Sequence, residues 1–247
     1  MNARGRSCRR SFPPSVWNQV PPSTVQAHFR EVFRRWGRPA RLRLDNGLPW
    51  ANWNDLPTAL ALWLVGVGIE LIFNPPRQPQ YNGVVEKSQD TGQRWCEPHG
   101  CQSVDELQAR LALMDRLQRE AYPSLQGRSR LEVFPALSQT SRPYTERWER
   151  SAWDLQRAQD YLAEFVALRK ANKQGQISIY NRRVSVGARH RGQPVVVQYA
   201  ADGQVWLLSD TEGRLLREVA APEICRERIL AVDISAKEGG GARPAGN

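Results

Sequence analysis

Cysteine is scarce in this chain and carries no pattern. Four of the 247 residues are cysteine (Cys8, Cys96, Cys101 and Cys225), with no C-x-x-C pair and no regular spacing. That indicates neither a disulfide framework nor a four-ligand zinc site, and leaves a reduced, cytoplasmic protein as the simplest expectation. The segment CEPHGC, Cys96 to Cys101, offers three ligands with His99, one fewer than a structural zinc site needs. Long apolar runs are missing as well. The longest, ALALWLVGVGI at 59–69, is the size of a core helix and falls well short of the roughly 20 residues that span a bilayer. The opening MNARGRSCRRSF has basic residues but no apolar stretch behind them, so it does not read as a secretory signal. No internal repeat is present.

What the chain does have is positive charge, unevenly placed. With 40% hydrophobic residues it can build one substantial core and a smaller second unit. The net charge is +10. Residues 1–44 carry +9, 45–120 carry −4, 121–191 carry +7 and 192–247 carry −2. Two basic blocks therefore flank an acidic one. A polyanion such as DNA gripped by the blocks, with metal-gathering carboxylates between them, fits this pattern; so does a solvated basic surface.

Periodicity supplies the elements. Val25, Phe29, Val32, Phe33 and Trp36 recur at helical spacing, with Ser23 or Thr24 as a cap and Gly37 and Pro39 as the stop. Leu42 and Leu44 then alternate as a strand ending at Asp45. A helix over about 57–67, the strand IELIF, the polar loop NPPRQPQYNG and a helix holding Glu86 near its start follow. Helices alternating with short apolar strands predict an α/β layer on an at least partly parallel sheet. SVDE at 103–106 reads as a capping box, with Leu107, Leu111, Met114 and Leu117 as the buried stripe of the next helix. A long polar helix is expected over about 146–172. Beyond it, QISIYNRRVSVG, PVVVQY, QVWLLS and RLLREV, punctuated by ADGQ and TEGR, predict short strands with tight turns and a small β-barrel.

The carboxylates stand where such a layer places chemistry. Reactive groups collect beyond the carboxyl ends of strands in an open α/β sheet, and Asp45 is at such an end. Asn46 and Gly47 after it suit a sharp turn that leaves the carboxylate exposed. Glu86 falls in the first turn of a helix, where free amides and the helix dipole favour an anion. Two carboxylates brought to one cleft would make a hard oxygen site for Mg2+ or Mn2+. Taken singly, a turn aspartate and a dipole-matched glutamate account for the same residues.

The combination is more specific. LRLDNGLPW, then GVGIELIFNPPRQPQYNGVVEKSQ, then YPSLQGRSRLEVF, in this order, resembles the integrase catalytic core of bacterial insertion-sequence transposases. The likeness runs over about residues 23–136. It implies an α/β fold with a partial ribonuclease-H-like core, a mixed sheet flanked by helices, followed by a small all-β barrel of the Src-homology-3-like kind. It also implies that Asp45 and Glu86 are the second and third members of an Asp-Asp-Glu metal triad, binding two Mg2+ or Mn2+ ions for phosphodiester cleavage and strand transfer. Arg130 stands where that family often has a proline.

The first aspartate of the triad would fall upstream of Met1, since no Asp precedes Asp45 and Glu31 sits within a helix. The resemblance therefore implies an N-terminally truncated transposase, impaired in strand transfer, or a remnant that still binds DNA. The implied organisation is an irregular basic 1–22, a core at 23–137, a linker and long helix at 138–173, a β-barrel at 174–233 and a flexible tail at 234–247. Expected DNA contacts are Lys87, Arg128, Arg130, Arg182 and Arg183. Trp50 and Trp53 could stack on a base, with packing under the core helix the stronger expectation for at least one of them. Asn46, Gly47, Asn82 and Gly83 are the expected turn residues. Expected partners are double-stranded DNA, both element ends and target, and further copies of the chain, in a nucleoid-associated bacterial setting.

Overall fold

A computed structural model describes residues 20–50, 55–75, 83–140 and 142–235. In chain order the first elements are α1 (Pro22–Trp36), β1 (Arg41–Leu44), α2 (Ala59–Gly66), β2 (Glu70–Phe73), α3 (Gly83–Cys96), α4 (Val104–Glu120) and α5 (Arg130–Val133). Then come α6 (Glu146–Ala152), α7 (Leu155–Ala163), β3 (Val166–Lys170), β4 (Gln176–Ile179), β5 (Arg182–Ser185), β6 (Pro194–Ala200), β7 (Val205–Ser209), β8 (Leu215–Ala220) and α8 (Arg226–Leu230). The fold is mixed α/β. None of the described helices is long and apolar enough to cross a membrane.

The chain divides into two compact units, one of residues 1–38 and 74–144, the other of residues 39–73 and 145–247. β1, α2 and β2 fall in the same unit as residues 145–247.

In the first unit, α1 begins at Pro22 with no side-chain cap, so neither Ser23 nor Thr24 has the expected role. Proline supplies the start instead, since its fixed φ is already helical and its missing N–H has no partner to lose. The helix stops where predicted. Gly37 has φ 82°, and a Cβ there would come within 2.5 Å of Thr140 Cγ2 and 2.9 Å of the Arg142 carbonyl, so both backbone and space demand glycine. Of the predicted stripe, Phe33 is buried and meets the ring of Tyr144 edge-on at 5.8 Å. Trp36 is partly exposed beneath the guanidinium groups of Arg35 and Arg119, at 4.6 and 4.1 Å from the ring centre.

The start of α4 keeps half of its capping box. Ser103 Oγ accepts from Glu106 N at 3.1 Å, while the Glu106 carboxylate reaches past Ser103 to the Gln102 amide at 2.7 Å. The stripe on this helix is not the buried one expected: Leu111 and Leu117 are each 40% exposed. Met114 does lie against α3, its sulfur 3.9 Å from Cys96 Sγ.

In the second unit β1 and β2 pair in parallel, from Arg41 opposite Glu70 to Leu44 opposite Phe73. The helix between them, α2, is apolar all round and buried from Leu60 to Gly66, as suits a helix enclosed by other elements. It packs against α7, α8 and β2. Thr58 caps its start.

The expected long helix at 146–172 is instead two short helices and a strand. Trp153 leaves helical geometry at ψ 128°, and Asp154 restarts the chain as the cap of α7, accepting from Arg157 N at 3.1 Å. A tertiary contact makes the break: Trp153 Nε1 donates to the Trp63 carbonyl at 3.0 Å, and Asp154 N donates to the Gly66 carbonyl at 3.0 Å. The run after Phe165 becomes β3, paired antiparallel with β6 from Val166 opposite Gln198 to Lys170 opposite Pro194.

The predicted strands after 174 form as β4 to β8. The β4–β5 hairpin turns on Tyr180 and Asn181, both left-handed at φ 44° and 64°, the backbone of a type I′ turn. A four-stranded antiparallel sheet has the order β3-β6-β7-β8. Alternation along β6 and β7 buries Val195, Val197, Tyr199, Trp206 and Leu208.

One buried tyrosine, Tyr199, and two half-buried ones, Tyr161 and Tyr180, give this unit an alkaline limit. Burial pushes Tyr180 well above its ordinary value and pushes Tyr161 and Tyr199 up to about 12. A raised folded pKa contributes stability that is complete below the unfolded value of about 10 and is lost as pH rises through the folded one. Urea midpoints are therefore expected to hold to about pH 10 and fall steadily above it. A midpoint that stays level well beyond that point would contradict this burial.

Candidate functional site

The strand β1 ends on a buried Leu44, and the next residue, Asp45, is exposed. Its carboxylate turns back along the chain, with Oδ1 accepting from the Gly47 amide at 3.1 Å. The following turn closes by Trp50 N donating to the Gly47 carbonyl at 3.0 Å. Thr58 Oγ1 holds the far side of this loop, lying 2.9 Å from the Pro49 carbonyl and 3.0 Å from that of Trp50. The loop that presents Asp45 is thus tied to the start of the buried helix α2.

The role expected of Gly47 changes. Its φ lies outside the left-handed region, and a Cβ would come no nearer than 3.5 Å to Asp45 Oδ1, an ordinary contact. The aspartate makes this turn, through its side chain, and glycine's freedom is not needed. Asn46, half-buried between them, also has ordinary backbone.

Glu86 stands in the first turn of α3 and is exposed, as is Lys87, whose carbonyl accepts from Thr91 Oγ1 at 2.8 Å. Gly83 opens the helix with no left-handed φ, and nothing lies within 4 Å of where a Cβ would stand, so it too is a turn residue by sequence only. Asn82 and Trp53 lie outside the described residues; Trp50 is half-buried.

Parallel pairing brings the ends of β1 and β2 to one edge, with Leu44 opposite Phe73. Asp45 follows the first strand there, and the chain leaving the second continues to α3. Asp45 belongs to one compact unit and Glu86 to the other. Among the described residues no group of three or more His, Cys, Asp or Glu is placed to hold a metal ion. That covers CEPHGC as well. The two exposed carboxylates have the hard oxygen chemistry that Mg2+ and Mn2+ prefer.

The five basic residues separate into two kinds. Arg182 is an internal tie: its Nη2 donates to the Ala220 carbonyl at 2.7 Å and to Glu223 Oε1 at 3.1 Å. Glu223 is only 2% exposed and also accepts from Trp206 Nε1 at 2.7 Å. This ties Arg182 Nη2 into the fold, while 28% of the side chain stays exposed. Strand alternation sends its neighbour Arg183 outward into solvent.

Arg128 and Arg130 are both exposed around a tight local structure. Leu125 and Arg128 exchange backbone hydrogen bonds of 3.1 Å across Gln126 and Gly127, at φ 52° and 81°. Ser129 then caps α5 with a full capping box: its Oγ accepts from Glu132 N, and the Glu132 carboxylate accepts from Ser129 N at 2.5 Å. That backbone bond holds the Glu132 carboxyl below its ordinary range. Arg130 is the first residue of this helix, a position that proline also suits.

Sequence reading missed these long-range polar ties. Glu149, in the polar run ERWERS, is buried and accepts from Trp63 Nε1 at 2.9 Å. Asp55 pairs with Arg169, whose Nε donates to the Ser178 carbonyl at 3.1 Å. Tyr180 Oη donates to the Pro57 carbonyl at 2.6 Å, so two side chains of the β structure clasp the segment leading into α2. Nothing in local spacing marks these partners. No family model matches the chain.

Proposed function

We propose that this chain is a transposase- or integrase-type protein that acts on double-stranded DNA in integration and transposition. On this reading it combines a partial ribonuclease-H-like core with a small Src-homology-3-like barrel, and works in the bacterial cytoplasm as a homo-oligomer on DNA. The observation that supports it best is the parallel β1–β2 pair with Asp45 exposed immediately beyond its carboxyl edge. Reactive groups of open α/β sheets gather at such edges.

Asp45 and Glu86 would supply carboxylate oxygens to Mg2+ or Mn2+, and the bound metal would supply Lewis-acid activation of a phosphodiester. Lys87, Arg128, Arg130 and Arg183 offer exposed cations that fix phosphates without reading sequence. A second reading, a catalytically inactive DNA-binding remnant or regulator of transposition, is favoured by one observation: Asp45 already commits one carboxylate oxygen to its own turn.

DNA affinity with and without metal separates the assignments. Glu86→Gln is expected to leave affinity in EDTA unchanged within error and to abolish the gain that Mn2+ brings to the unaltered chain. A loss of about ten-fold or more in EDTA, roughly 1.4 kcal/mol, would make Glu86 structural and overturn its place as a ligand. If Mn2+ brings no gain to the unaltered chain, the remnant reading takes over.

A further inference from the structure

The junction between α3 and α4 holds two thiols in one small turn. Cys96 is the last residue of α3, fully buried, with its sulfur against Met114. Glu97 follows in the left-handed conformation at φ 42°, Pro98–Gly100 make one 3-10 turn, and Cys101 is half-exposed beyond it. The turn folds Cys101 back onto the helix end: its Sγ lies 3.6 Å from the Cys96 carbonyl oxygen and 3.7 Å from that of Glu97. Arg110 of α4 closes the site, with Nη1 donating to the same Cys96 carbonyl at 3.2 Å.

The two thiols differ in a way that sets an order of reaction. Cys101 is reachable from solvent and interacts electrostatically with the Arg110 guanidinium; exposed cysteines beside cations are the ones that react. Cys96 is shielded, and burial pushes its thiol up. One is suited to meet an external oxidant, the other to resolve what forms.

We propose that Cys96 and Cys101 close a reversible intramolecular disulfide, with a small-molecule disulfide of the glutathione class as oxidant. The Cys101 thiolate attacks one sulfur of the oxidant, giving a mixed disulfide and releasing one thiolate. The Cys96 thiol loses its proton and attacks Cys101 Sγ, releasing the second thiolate. Two electrons pass from the cysteine pair to the oxidant, and the two thiol protons go to the two released thiolates. Cys96 ends α3 and Cys101 precedes the Ser103 cap of α4, so the disulfide would close within the connecting turn. The result staples the end of the helix that carries Glu86 to the start of the next. Where disulfides occur in reducing compartments, they are mostly transient ones of this kind. The inference stands on the α3–α4 junction and does not depend on the DNA reading.

The test is peptide mapping of the full chain after equilibration in glutathione buffers of stepped oxidation, with acid quench and alkylation. The expected result is a peptide spanning 96–101 that has lost two hydrogens, carries no glutathione and recovers both thiols on return to reduced glutathione. Under reducing conditions Cys101 is expected to alkylate about ten-fold or more faster than Cys96. Cys96→Ser should stop the reaction at a glutathione adduct on Cys101, and Cys101→Ser should leave Cys96 reduced. If Cys96→Ser does not fold, the unaltered chain and Cys101→Ser decide the matter alone. The idea fails if the unaltered chain accumulates the glutathione adduct, pairs either cysteine with Cys8 or Cys225, or stays fully reduced across the series.

Discussion

Arg182→Ala is expected to destabilise the second unit by about 3 kcal/mol and, on the proposed DNA-binding reading, to leave the DNA affinity of the folded fraction unchanged. Glu223 accepts from both Arg182 and Trp206 in a site that is 2% exposed, whereas the Arg182 side chain is 28% exposed. Removing the cation leaves a carboxylate in the interior with a single indole donor. Breaking a buried pair from one side costs about 3–5 kcal/mol. The lower end fits here, because the arginine keeps some contact with water. A neutral partner should recover most of the loss: in Arg182→Met with Glu223→Gln the amide still accepts from Trp206 and no charge is buried. Arg183→Ala, one residue on, is expected to do the reverse, with stability changed by less than about 0.5 kcal/mol and DNA affinity reduced in a salt-dependent way. Urea midpoints and a salt titration of binding, on these three variants and the unaltered chain, read both effects. If Arg182→Ala keeps its midpoint and weakens DNA binding, the guanidinium faces the ligand and its tie to Glu223 is wrong.

Gly66→Ala is expected to lose about 2 kcal/mol or more, against the direction that helix propensity predicts. Alanine is favoured over glycine in a helix interior by up to about 1 kcal/mol, and Gly66 is the last residue of α2 with ordinary helical backbone. A methyl there would lie 2.2–2.5 Å from three atoms of the Trp153 indole. The ring cannot step aside easily, since Nε1 is bonded to the Trp63 carbonyl and Arg226 lies over the ring at 5.4 Å while donating to the Trp153 carbonyl at 2.5 Å. Overpacking of this kind costs about 1–3 kcal/mol and more where the neighbours are fixed. With Trp153→Phe the same glycine change should cost measurably less, because the smaller ring lacks the indole nitrogen and the atoms beside it that supply the clash; the shortfall from additivity reports the contact. A gain in stability for Gly66→Ala alone would mean that α2 is not enclosed where Trp153 meets it.

Alternation and turn chemistry located β1, β2 and β4 to β8, and Gly37 marked the end of α1. Each of these rests on residues within a few positions of one another, where pattern is informative. The exposed carboxylates were legible for the same reason: Asp45 follows two alternating leucines, and Glu86 follows a polar loop. The helix drawn through 146–172 failed because its apolar spacing suits a helix as well as a strand, and only the seat for Trp153 against Gly66 and the pairing of Val166–Lys170 with β6 break the tie.

The same division runs through the charged residues. By itself the sequence determined the local devices: where strands end, where tight turns fall, which carboxylates begin helices, and how positive charge is distributed along the chain. Tertiary structure alone decided which charges are used up inside, because Arg182 and Glu223, Asp55 and Arg169, and Trp63 and Glu149 are partners across 41, 114 and 86 positions. Burial is a property of what surrounds a residue in space. A short-range pattern holds no record of an arginine's distant partner, so the two neighbours Arg182 and Arg183 read alike until the sheet is built.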